Sequence, residues 1–365
     1  MSCMNYDLIE EEHHVKALRI VLIVSVVLSV GLVGSAFAQL DPTPEDPVIL
    51  RIGTLDKEDD LAVGLEYTMC KVFEAMVETN TGGAIQVEVF HSGSLGKMMA
   101  QIEAVQAGEQ EALTGTAGIP SFYPEWQVFS IPYLFDNSEI AMSVMNHSAF
   151  MRDLYENMRQ KTGLRVLGVA QNGFRHFTNS KRPIHTPADL EGLKFRVMQG
   201  PIYQKVVEAV GGNATPIAWS ELYTSLKTGI VDGQENPISA VKLGSLDEVQ
   251  KYITLDGHIW SENYLIINDE FFNSLPEKFQ VVVQEAGSQA ALAGTASEHI
   301  ASYIVGVDYC LNHGMEIYKP TPDELAMFRE KAQGPVVEWL KGEIGEEIVN
   351  GMLETVEETK AKLGY

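Results

Sequence analysis

Two basic side chains, Lys194 and Arg196, alternate along the apolar run GLKFRVM at residues 192–198. Because side chains alternate between the two faces of a strand, both bases project from the same face. The whole chain carries 26 basic and 50 acidic side chains, so its formal net charge is −24. A basic face in so acidic a protein is either a solvated surface or one wall of a site that receives an anion.

The acidic composition limits the partners of the protein. A surface of this charge repels nucleic acids and anionic lipids, so neither is expected as a partner. It also makes any convergence of arginines informative, because such a cluster forms against the overall electrostatic field of the protein.

Strands and helices alternate along the first half of the sequence. The runs Val48–Gly53 and Ile85–Phe90 have strand character, and helical patterns cover Leu61–Glu78 and Leu95–Ala107. Strands that alternate with helices of this length predict an α/β fold with a mainly parallel sheet. A chain of 365 residues is longer than one hydrophobic core usually serves, so two lobes are expected.

The same alternation returns after Gly163. Strands are predicted at Leu164–Ala170, Leu193–Met198, Ala214–Ile217 and Ile230–Gln234. The helices between them begin with a short one that Thr186 caps, followed by Pro201–Val210 and Ser220–Thr228.

The last hundred residues are mostly helical in pattern. A capping box that begins at Ser274 opens a helix of roughly 37 residues, or about 55 Å, which ends near Gly314. We expect this helix to pack across both lobes and to bend at its glycines, Gly287, Gly294 and Gly306. The pair Gly334-Pro335 is expected to end a later helix, which the motif at Thr321-Pro322-Asp323-Glu324 opens.

Four polar side chains lie at the ends of predicted strands in the second half-chain. Arg175, on the loop after one strand, Arg196, Trp219 and Asn236 all fall at the carboxyl edge of the sheet, where open parallel sheets bind ligands. Guanidinium groups match carboxylate oxygens in bidentate geometry, an amide donates to a further oxygen, and an indole supplies an apolar wall. This set predicts a carboxylate site.

A simpler alternative uses the same residues without a ligand. Arg196 pairs with a local acid, Glu191 or Asp189, and Trp219 is an ordinary core residue.

Three blocks in this region also resemble a known family. They are NGFR at 172–175 followed by TN at 178–179, DLEGLKFRV at 189–197, and VDGQENP at 231–237. They closely resemble the extracytoplasmic solute receptors of TRAP transporters, of the DctP type. Shorter stretches resemble the first lobe of the same receptors: SLG at 94–96, FYPE at 122–125 and IPY at 131–133.

The resemblance implies a two-lobed fold of the periplasmic-binding-protein type, in which each lobe is a mainly parallel sheet flanked by helices. Lobe I is expected to hold residues 48–171 and 262–301, and lobe II residues 172–261 and 302–365. Such a receptor closes on a small organic acid and delivers it to a membrane permease that an ion gradient drives. The resemblance further implies a periplasmic monomer that is not an enzyme.

Family members assign roles to the predicted site residues. The arginine that matches Arg196 makes the main salt bridge to the ligand carboxylate, and those that match Arg175 and Asn236 line the pocket in many members. Arg196 is therefore expected to face the cleft, and Lys194 to lie on the solvated part of the same strand face.

The ligand class stays open. Sialic-acid receptors of the family have a glutamate where this chain has Gly115, which argues against that ligand. Phe122 and Tyr123 are expected to complete the lobe I wall, and Trp260 and Glu262 lie near the lobe crossing. Such an aromatic-rich pocket suits a planar or apolar acid as well as a sugar acid. Candidates are a four-carbon dicarboxylate, a sugar acid, and an aromatic or 2-oxo acid.

Two other classes of protein remain as alternatives. A carboxylate-processing enzyme is disfavoured because the sequence has no G-x-S-x-G elbow, H-E-x-x-H pair, phosphate-binding glycine loop or paired cysteines. No catalytic residue, cofactor or metal is therefore expected, and His91, His176 and His258 are interpreted as surface or packing residues without partners at ligand spacing. A sensory module of the same fold is the other alternative.

The N-terminal segment has the features of a signal peptide. Lys16 and Arg19 precede an apolar run, and Ala36-Phe37-Ala38 is a small-x-small cleavage motif, so residues 1–38 are expected to be removed. An uncleaved membrane anchor is the alternative. Of the cysteines that remain, Cys70 and Cys310 are expected as two separate buried thiols, although an oxidising compartment permits one bridge.

Overall fold

The computed structural model describes residues 39–365. The predicted signal peptide, residues 1–38, lies outside the described residues. Within the described range, the search for a helix of sufficient length and apolar character to cross a membrane finds none.

A nine-stranded sheet runs through the described part of the chain in the order β2-β1-β3-β8-β4-β7-β5-β6, with β9 paired to β8. The strands are β1 Val48–Gly53, β2 Ile85–Phe90, β3 Ala112–Gly115, β4 Leu164–Asn179, β5 Lys194–Val197, β6 Asn213–Pro216, β7 Gly233–Asn236, β8 Tyr252–Asn268 and β9 Glu316–Tyr318.

The α-helices of this range cover both faces of the sheet and form the C-terminal part of the chain. They are α1 Leu65–Thr81, α2 Met98–Ala107, α3 Ser138–His147, α4 Ala149–Thr162, α5 Pro201–Ala209, α6 Trp219–Lys227, α7 Ser239–Leu243, α8 Asp269–Ser274, α9 Glu277–His299, α10 Val307–Asn312, α11 Pro322–Ile344 and α12 Glu346–Leu363.

Two long antiparallel strands join the halves of the sheet. β4 and β8 contain 16 and 17 residues and pair along their whole length. At one end they adjoin the parallel strands β1, β2 and β3, and at the other end the parallel strands β5, β6 and β7. This arrangement confirms the expected two-lobed α/β fold with a mainly parallel sheet in each lobe.

The predicted strand Leu164–Ala170 is too short. β4 continues to Asn179, so Arg175 lies within a strand and the prediction of a loop at this position is wrong. The strand crosses between the lobes by means of register shifts, one of them between Gln171 and Gly173. Gly173 has a φ of +112°, a conformation that L side chains rarely adopt, and it therefore permits the bend.

The predicted long helix is confirmed. α9 continues through a π-helical segment, Ile300–Gly306, directly into α10. α9 packs on α1 and β4 of lobe I, whereas the π segment and α10 pack on α7 and β9 of lobe II. The predicted capping box at its start is wrong, because Pro276 occupies the cap position and the Ser274 hydroxyl donates to the Phe271 carbonyl oxygen at 2.6 Å within α8.

Two glycines of this helix, Gly287 and Gly294, permit close packing against neighbouring elements. A Cβ atom on Gly287 would lie 2.5 Å from Leu167 Cβ, and one on Gly294 would lie 2.5 Å from Met69 Cγ. The α-helix continues through both positions without a break, and the expected bends there stay a prediction. The π segment, which ends at Gly306, carries the irregularity of the helix.

Pro335 does not end a helix as predicted. It is exposed within α11, so its ring does not enter the core. The opposite face of α11 is buried at a regular four-residue spacing by Phe328, Ala332, Val336 and Leu340. Tertiary packing of this apolar face therefore outweighs the hydrogen bond that the proline removes.

The C-terminal helices contact both lobes. α11 packs on α5, whereas α12 packs on α3 and α4, which precede residue 172. The assignment of residues 302–365 to lobe II, like the other lobe boundaries, stays a prediction. Cys70 and Cys310 are free and buried in different apolar clusters, which confirms the prediction of two separate thiols.

The packing of α9 on β4 generates a stability prediction. Gly287→Ala is expected to lower the free energy of unfolding by about 1–3 kcal/mol, because the new methyl group overlaps Leu167. Gly342→Ala is the matched control: it is exposed in the last turns of α11 with no atom within 4 Å of the new Cβ, and should raise stability by about 0.5–1 kcal/mol. Urea denaturation measures both, and a Gly287→Ala protein as stable as the wild type would contradict the close contact.

Candidate functional site

A cavity of about 100 Å³ lies between the two lobes. One water-sized group occupies roughly 10–15 Å³ on this measure, so the cavity accommodates a molecule of on the order of ten non-hydrogen atoms. Its polar lining comes from both lobes and from the long helix: Asp56, Glu66, Thr116, Asn172, Arg196, Gln199, Asn236, Ser239, Asn263 and Glu298.

Arg196 lines the cavity from the end of β5, because its neighbours Phe195 and Val197 point into the core. It is only 3% exposed, and its Nε donates to the Ile217 carbonyl oxygen at 2.7 Å. Its Nη1 is buried without a hydrogen-bond partner among the described residues. Burial lowers the pKa of Arg196 to about 10, which leaves it charged at neutral pH.

The local alternative for Arg196 is wrong. The Asp189 carboxylate accepts hydrogen bonds from the backbone of His185 and Thr186, and within residues 39–365 neither Asp189 nor Glu191 forms an ion pair with Arg196. A buried guanidinium without an anion is energetically costly, so this position is suited to an anionic ligand.

Lys194 lies on the solvated part of the same strand, as expected. It is exposed, and its Nζ donates to the Gly229 carbonyl oxygen at 3.2 Å. The two basic residues of the strand therefore have different environments, although they project from the same face.

Trp219 and Asn236 line the cavity together with Arg196. Trp219 is the first residue of α6 and is half-buried, and Asn236 ends β7 and donates to the Gln234 side-chain oxygen. The structure therefore brings three of the four main predicted residues to one cavity. Their contacts with a ligand stay a prediction.

Arg175 is fully buried in a charged network beside the cavity and is not among the lining residues. Its Nη2 donates to Glu235 Oε1 at 3.0 Å, while Glu235 Oε2 lies 3.3 Å from His258 Nε2 and His258 Nδ1 lies 2.8 Å from Asp256 Oδ2. Burial alone would raise the pKa of Glu235, but Arg175 and His258 outweigh this effect and hold the pKa at about 2. Burial alone would lower the pKa of His258, but Asp256 and Glu235 outweigh this effect and raise the pKa to about 9.

This network changes the interpretation of two residues. The interpretation of His258 as a surface or packing residue leaves out its charged partners, because the strand pairing of β8 and β4 and of β4 and β7 brings it to Glu235. Arg175 is held by Glu235, and its role in ligand binding stays a prediction. His176 fits the packing interpretation, since burial lowers its pKa to about 4 and keeps it neutral.

The other predicted residues lie outside the cavity lining. Glu262 Oε1 accepts from Trp126 Nε1 at 2.9 Å, and burial raises the pKa of Glu262 to about 7. Trp260 and Tyr123 are buried, and Phe122 packs against the main apolar cluster. Tyr123 and Trp260 belong to one apolar cluster that also contains the cavity-lining residues Met98 and Met198.

Gly115 also lies behind the wall. A Cβ atom there would come within 2.1 Å of Met98 Cε, and Met98 itself lines the cavity. A glutamate at this position would therefore displace Met98, which agrees with the argument against sialic acid.

Three carboxyl groups in the cavity were missed from the sequence: Asp56, Glu66 and Glu298. The rule that ligands bind at the carboxyl ends of strands points to Asp56, three residues after β1, and to Glu66 in the first turn of α1. Nothing local to the sequence marks Glu298, which reaches the cavity only because α9 crosses both lobes.

The mouth of the cavity is bridged between the lobes. Lys97, just before α2, and Glu221, on α6, form an ion pair with an Nζ–Oε1 distance of 2.5 Å. Lys97 lines the entrance region together with Asp56 and Trp219, and Glu221 adjoins it. This ion pair links residues on opposite sides of the cavity.

The charged network generates a prediction that separates Arg175 from Arg196. Arg175→Met should lower the free energy of unfolding by about 3–5 kcal/mol without any ligand, because it leaves Glu235 buried and unpaired. Arg196→Met is the matched control and should cost far less, since its guanidinium has no anionic partner among residues 39–365. Guanidinium chloride titration measures both. Equal stabilities for the two variants would contradict the structural role of Arg175.

The family model of the bacterial extracellular solute-binding proteins, family 7 (DctP), matches residues 64–341. A solute-binding protein of Verminephrobacter eiseniae is 38% identical over 220 residues, which are 60% of this chain and 65% of that protein, slightly under two thirds of its length. The ectoine-binding periplasmic protein TeaA of Halomonas elongata is 30% identical over 300 residues, or 78% of this chain and 84% of that protein.

Solved structures give the same result. The sugar acid binding protein DctPAm of Advenella mimigardefordensis, in complex with galactonate, has a TM-score of 0.80 at 30% identity and covers 86% of this chain and 99% of its own. A TRAP periplasmic solute binding protein of Polaromonas, bound to D-erythronate, has a TM-score of 0.77 at 32% identity and covers 84% and 98%. This chain belongs to the bacterial extracellular solute-binding proteins of family 7, and its resemblance to the receptors of TRAP transporters is confirmed.

Proposed function

We propose that this protein is the periplasmic receptor of a TRAP-type transporter. It binds a small organic acid through its carboxylate and delivers it to a membrane permease that an ion gradient drives. The observation that carries the proposal is the buried guanidinium of Arg196, whose Nη1 lacks a protein partner in the described residues and which lines a cavity between two lobes. Ligand-bound neighbours support it, since galactonate and D-erythronate are both carboxylates.

The ligand carboxylate takes the place of the missing partner of Arg196. The guanidinium receives one or both carboxylate oxygens, and the Asn236 amide donates to the same group. Trp219 covers the bound molecule from α6. Arg175 acts indirectly: by holding Glu235 it fixes β7 and hence the position of Asn236.

The ligand is a monocarboxylate. Arg196 is the one arginine or lysine among the described residues that line the main cavity, whereas three carboxyl groups line it as well. A second ligand carboxylate would face these acids at short range, in a buried site that already disfavours negative charge and offers no second cation among the described lining residues. This argues against the four-carbon dicarboxylates among the candidate ligands.

The protein binds and returns its ligand without a chemical step. The cavity closes by approach of the two lobes, and the ligand shifts the balance between open and closed states by its preference for the closed one. The ion pair between Lys97 and Glu221 bridges the lobes in the closed state. Receptor and permease then exchange the ligand outside the cytoplasmic membrane.

Arg196→Ala is expected to lower ligand affinity more than a hundredfold, because it removes a desolvated charge pair of about 3–5 kcal/mol. Arg196→Lys should recover only part of this loss, since an ammonium lacks the planar fork. Lys194→Ala, an exposed base two residues away, is the matched control and should bind as the wild type does.

Isothermal titration with the tightest-binding acid of a thermal-shift panel measures these affinities. The panel contains uronates, aldonates, 2-oxo acids, amino acids and dicarboxylates. An Arg196→Ala protein whose affinity stays within threefold of the wild type would contradict the proposed role of Arg196.

The bridge over the cavity mouth should contribute little to affinity. Lys97 and Glu221 are 61% and 54% exposed, and such pairs contribute about 0.2–1 kcal/mol. Glu221→Gln should therefore weaken binding by less than about fivefold, and this loss should come from a faster dissociation rate. Glu208→Gln, which removes the exposed pair with Lys205, is the control. Stopped-flow fluorescence measures the rates, and a loss above tenfold would show that the bridge governs closure.

A further inference from the structure

The three carboxyl groups that line the cavity form what we call the acid wall, defined as Asp56, Glu66 and Glu298. They come from the loop after β1, the first turn of α1 and the end of α9, so three separate elements bring negative charge to one cavity. Glu66 and Glu298 are 5% and 2% exposed. Their placement is therefore a property of the tertiary structure and not of a local acidic run.

None of the acid wall residues forms an ion pair with a lysine, arginine or histidine within residues 39–365. Two other buried acids of the same protein are paired with cations, whereas Glu262, outside the cavity, has only the neutral donor Trp126 in the described part of the chain. Glu235 lies against Arg175, and Glu111 accepts from Arg51 Nη2 at 2.8 Å. The acid wall differs from Glu235 and Glu111 because its three carboxyl groups have no cationic partner among the described residues, and it differs from Glu262 because they converge on one cavity.

The protein partners of the acid wall are neutral donors. Glu66 Oε1 accepts from Asn263 Nδ2 at 2.8 Å, and Glu298 Oε1 accepts from Ser239 Oγ at 2.7 Å. These bonds orient the carboxylates but supply no charge. Buried carboxylates of this kind are stabilised when a cation enters, because the attraction is strong where water is excluded.

The charges around the acid wall add to this effect. Burial raises the pKa of Glu298 to about 8 and also raises the pKa of Glu66. Burial, followed by repulsion from Glu66, Glu298 and Asp59, raises the pKa of Asp56, and only Lys57 acts in the opposite direction. The empty cavity therefore favours protonated acids, and a bound cation would favour their ionised form.

A second, independent feature of the same cavity points to a ligand. The buried Arg196 presents its unpartnered Nη1 there, so the cavity has one positive and one negative region. Trp219 lines the cavity as well, and an aromatic face attracts cations. A polyhydroxy acid would give hydrogen bonds to the acid wall but no compensating charge.

We infer that the ligand is a zwitterion, which places its carboxylate on Arg196 and a positively charged nitrogen group against Asp56, Glu66 and Glu298. The inference rests on the proposed function, because it concerns the same cavity. The size of the cavity fits such a molecule if it has on the order of ten non-hydrogen atoms.

Matched pairs of compounds test the inference. 4-Aminobutyrate and 5-aminopentanoate are each titrated against the wild-type protein in parallel with 4-hydroxybutyrate and 5-hydroxypentanoate, together with glycine betaine and D-gluconate. The cationic member of each pair is expected to bind at least tenfold more tightly. Tighter binding of the hydroxy acids or of gluconate would overturn the inference and leave the proposed function intact. Failure of every carboxylate, including the full thermal-shift panel, would contradict both.

Charge-removing variants locate the cationic group. Glu298→Gln and Asp56→Asn keep the shape of the side chains and should weaken binding of the cationic compounds at least tenfold, with the hydroxy acids changed less than threefold. Glu208→Gln, on the exposed face of α5, is the matched control. Equal losses for both series of compounds would show that the acid wall only shapes the cavity, and would overturn the inference.

A measurement on the wild-type protein avoids any dependence on the folding of variants. A cation lowers the pKa of the acid wall, so binding should release protons near pH 7.5 and affinity should rise between pH 6 and pH 8.5. Titration calorimetry in phosphate and in Tris buffers counts the protons. Proton uptake on binding of the cationic compounds would overturn the inference.

Discussion

The antiparallel pairing of β4 and β8 is the constraint on which the rest of the structure depends. These two strands belong to both lobes, so every element of each lobe is placed relative to the same pair. Their register shifts bend the sheet at the crossing, and the cavity lies beside the bend. α9 follows the same path along the other side, which is why Glu298, late in the sequence, faces residues from β1 and α1.

Charge pairing in the interior divides the polar residues into two groups. Arg175, Glu235, His258 and Asp256 form a buried charged network, and within it the partners of Glu235 and His258 keep these two side chains ionised at neutral pH despite their burial. In this network, only Nη1 of Arg175 has no hydrogen-bond partner within residues 39–365. Arg196 lies beside this network but has only a backbone carbonyl as a partner among the described residues. The difference in pairing, and not the residue type, separates a guanidinium that holds the fold together from one that is available to a ligand.

The sequence predicts the parts of this arrangement that follow from local rules. Period-two and helical patterns place β1, β2, β5, β6 and the start of β4 but miss β3, β8 and β9. The rule for carboxyl ends of strands selects Arg196, Trp219 and Asn236 correctly as cavity residues. It fails for Arg175, because the strand continues through a glycine at positive φ that local patterns interpret as a break. The prediction that a helix ends at Pro335 also fails, because packing of the opposite helix face decides the outcome.

The acid wall shows why the remaining part of the site lies beyond sequence patterns. The first and last of its carboxyl groups, those of Asp56 and Glu298, are about 240 residues apart in the chain. Each of the three has an ordinary local explanation: a loop acid, a first-turn glutamate and a polar position on a long helix. Only their convergence on one cavity without a cation is informative, and that requires coordinates. A cavity that holds three carboxyl groups without a cation beside a guanidinium without an anion has separated its charges in a way that a ligand with both charges would complete.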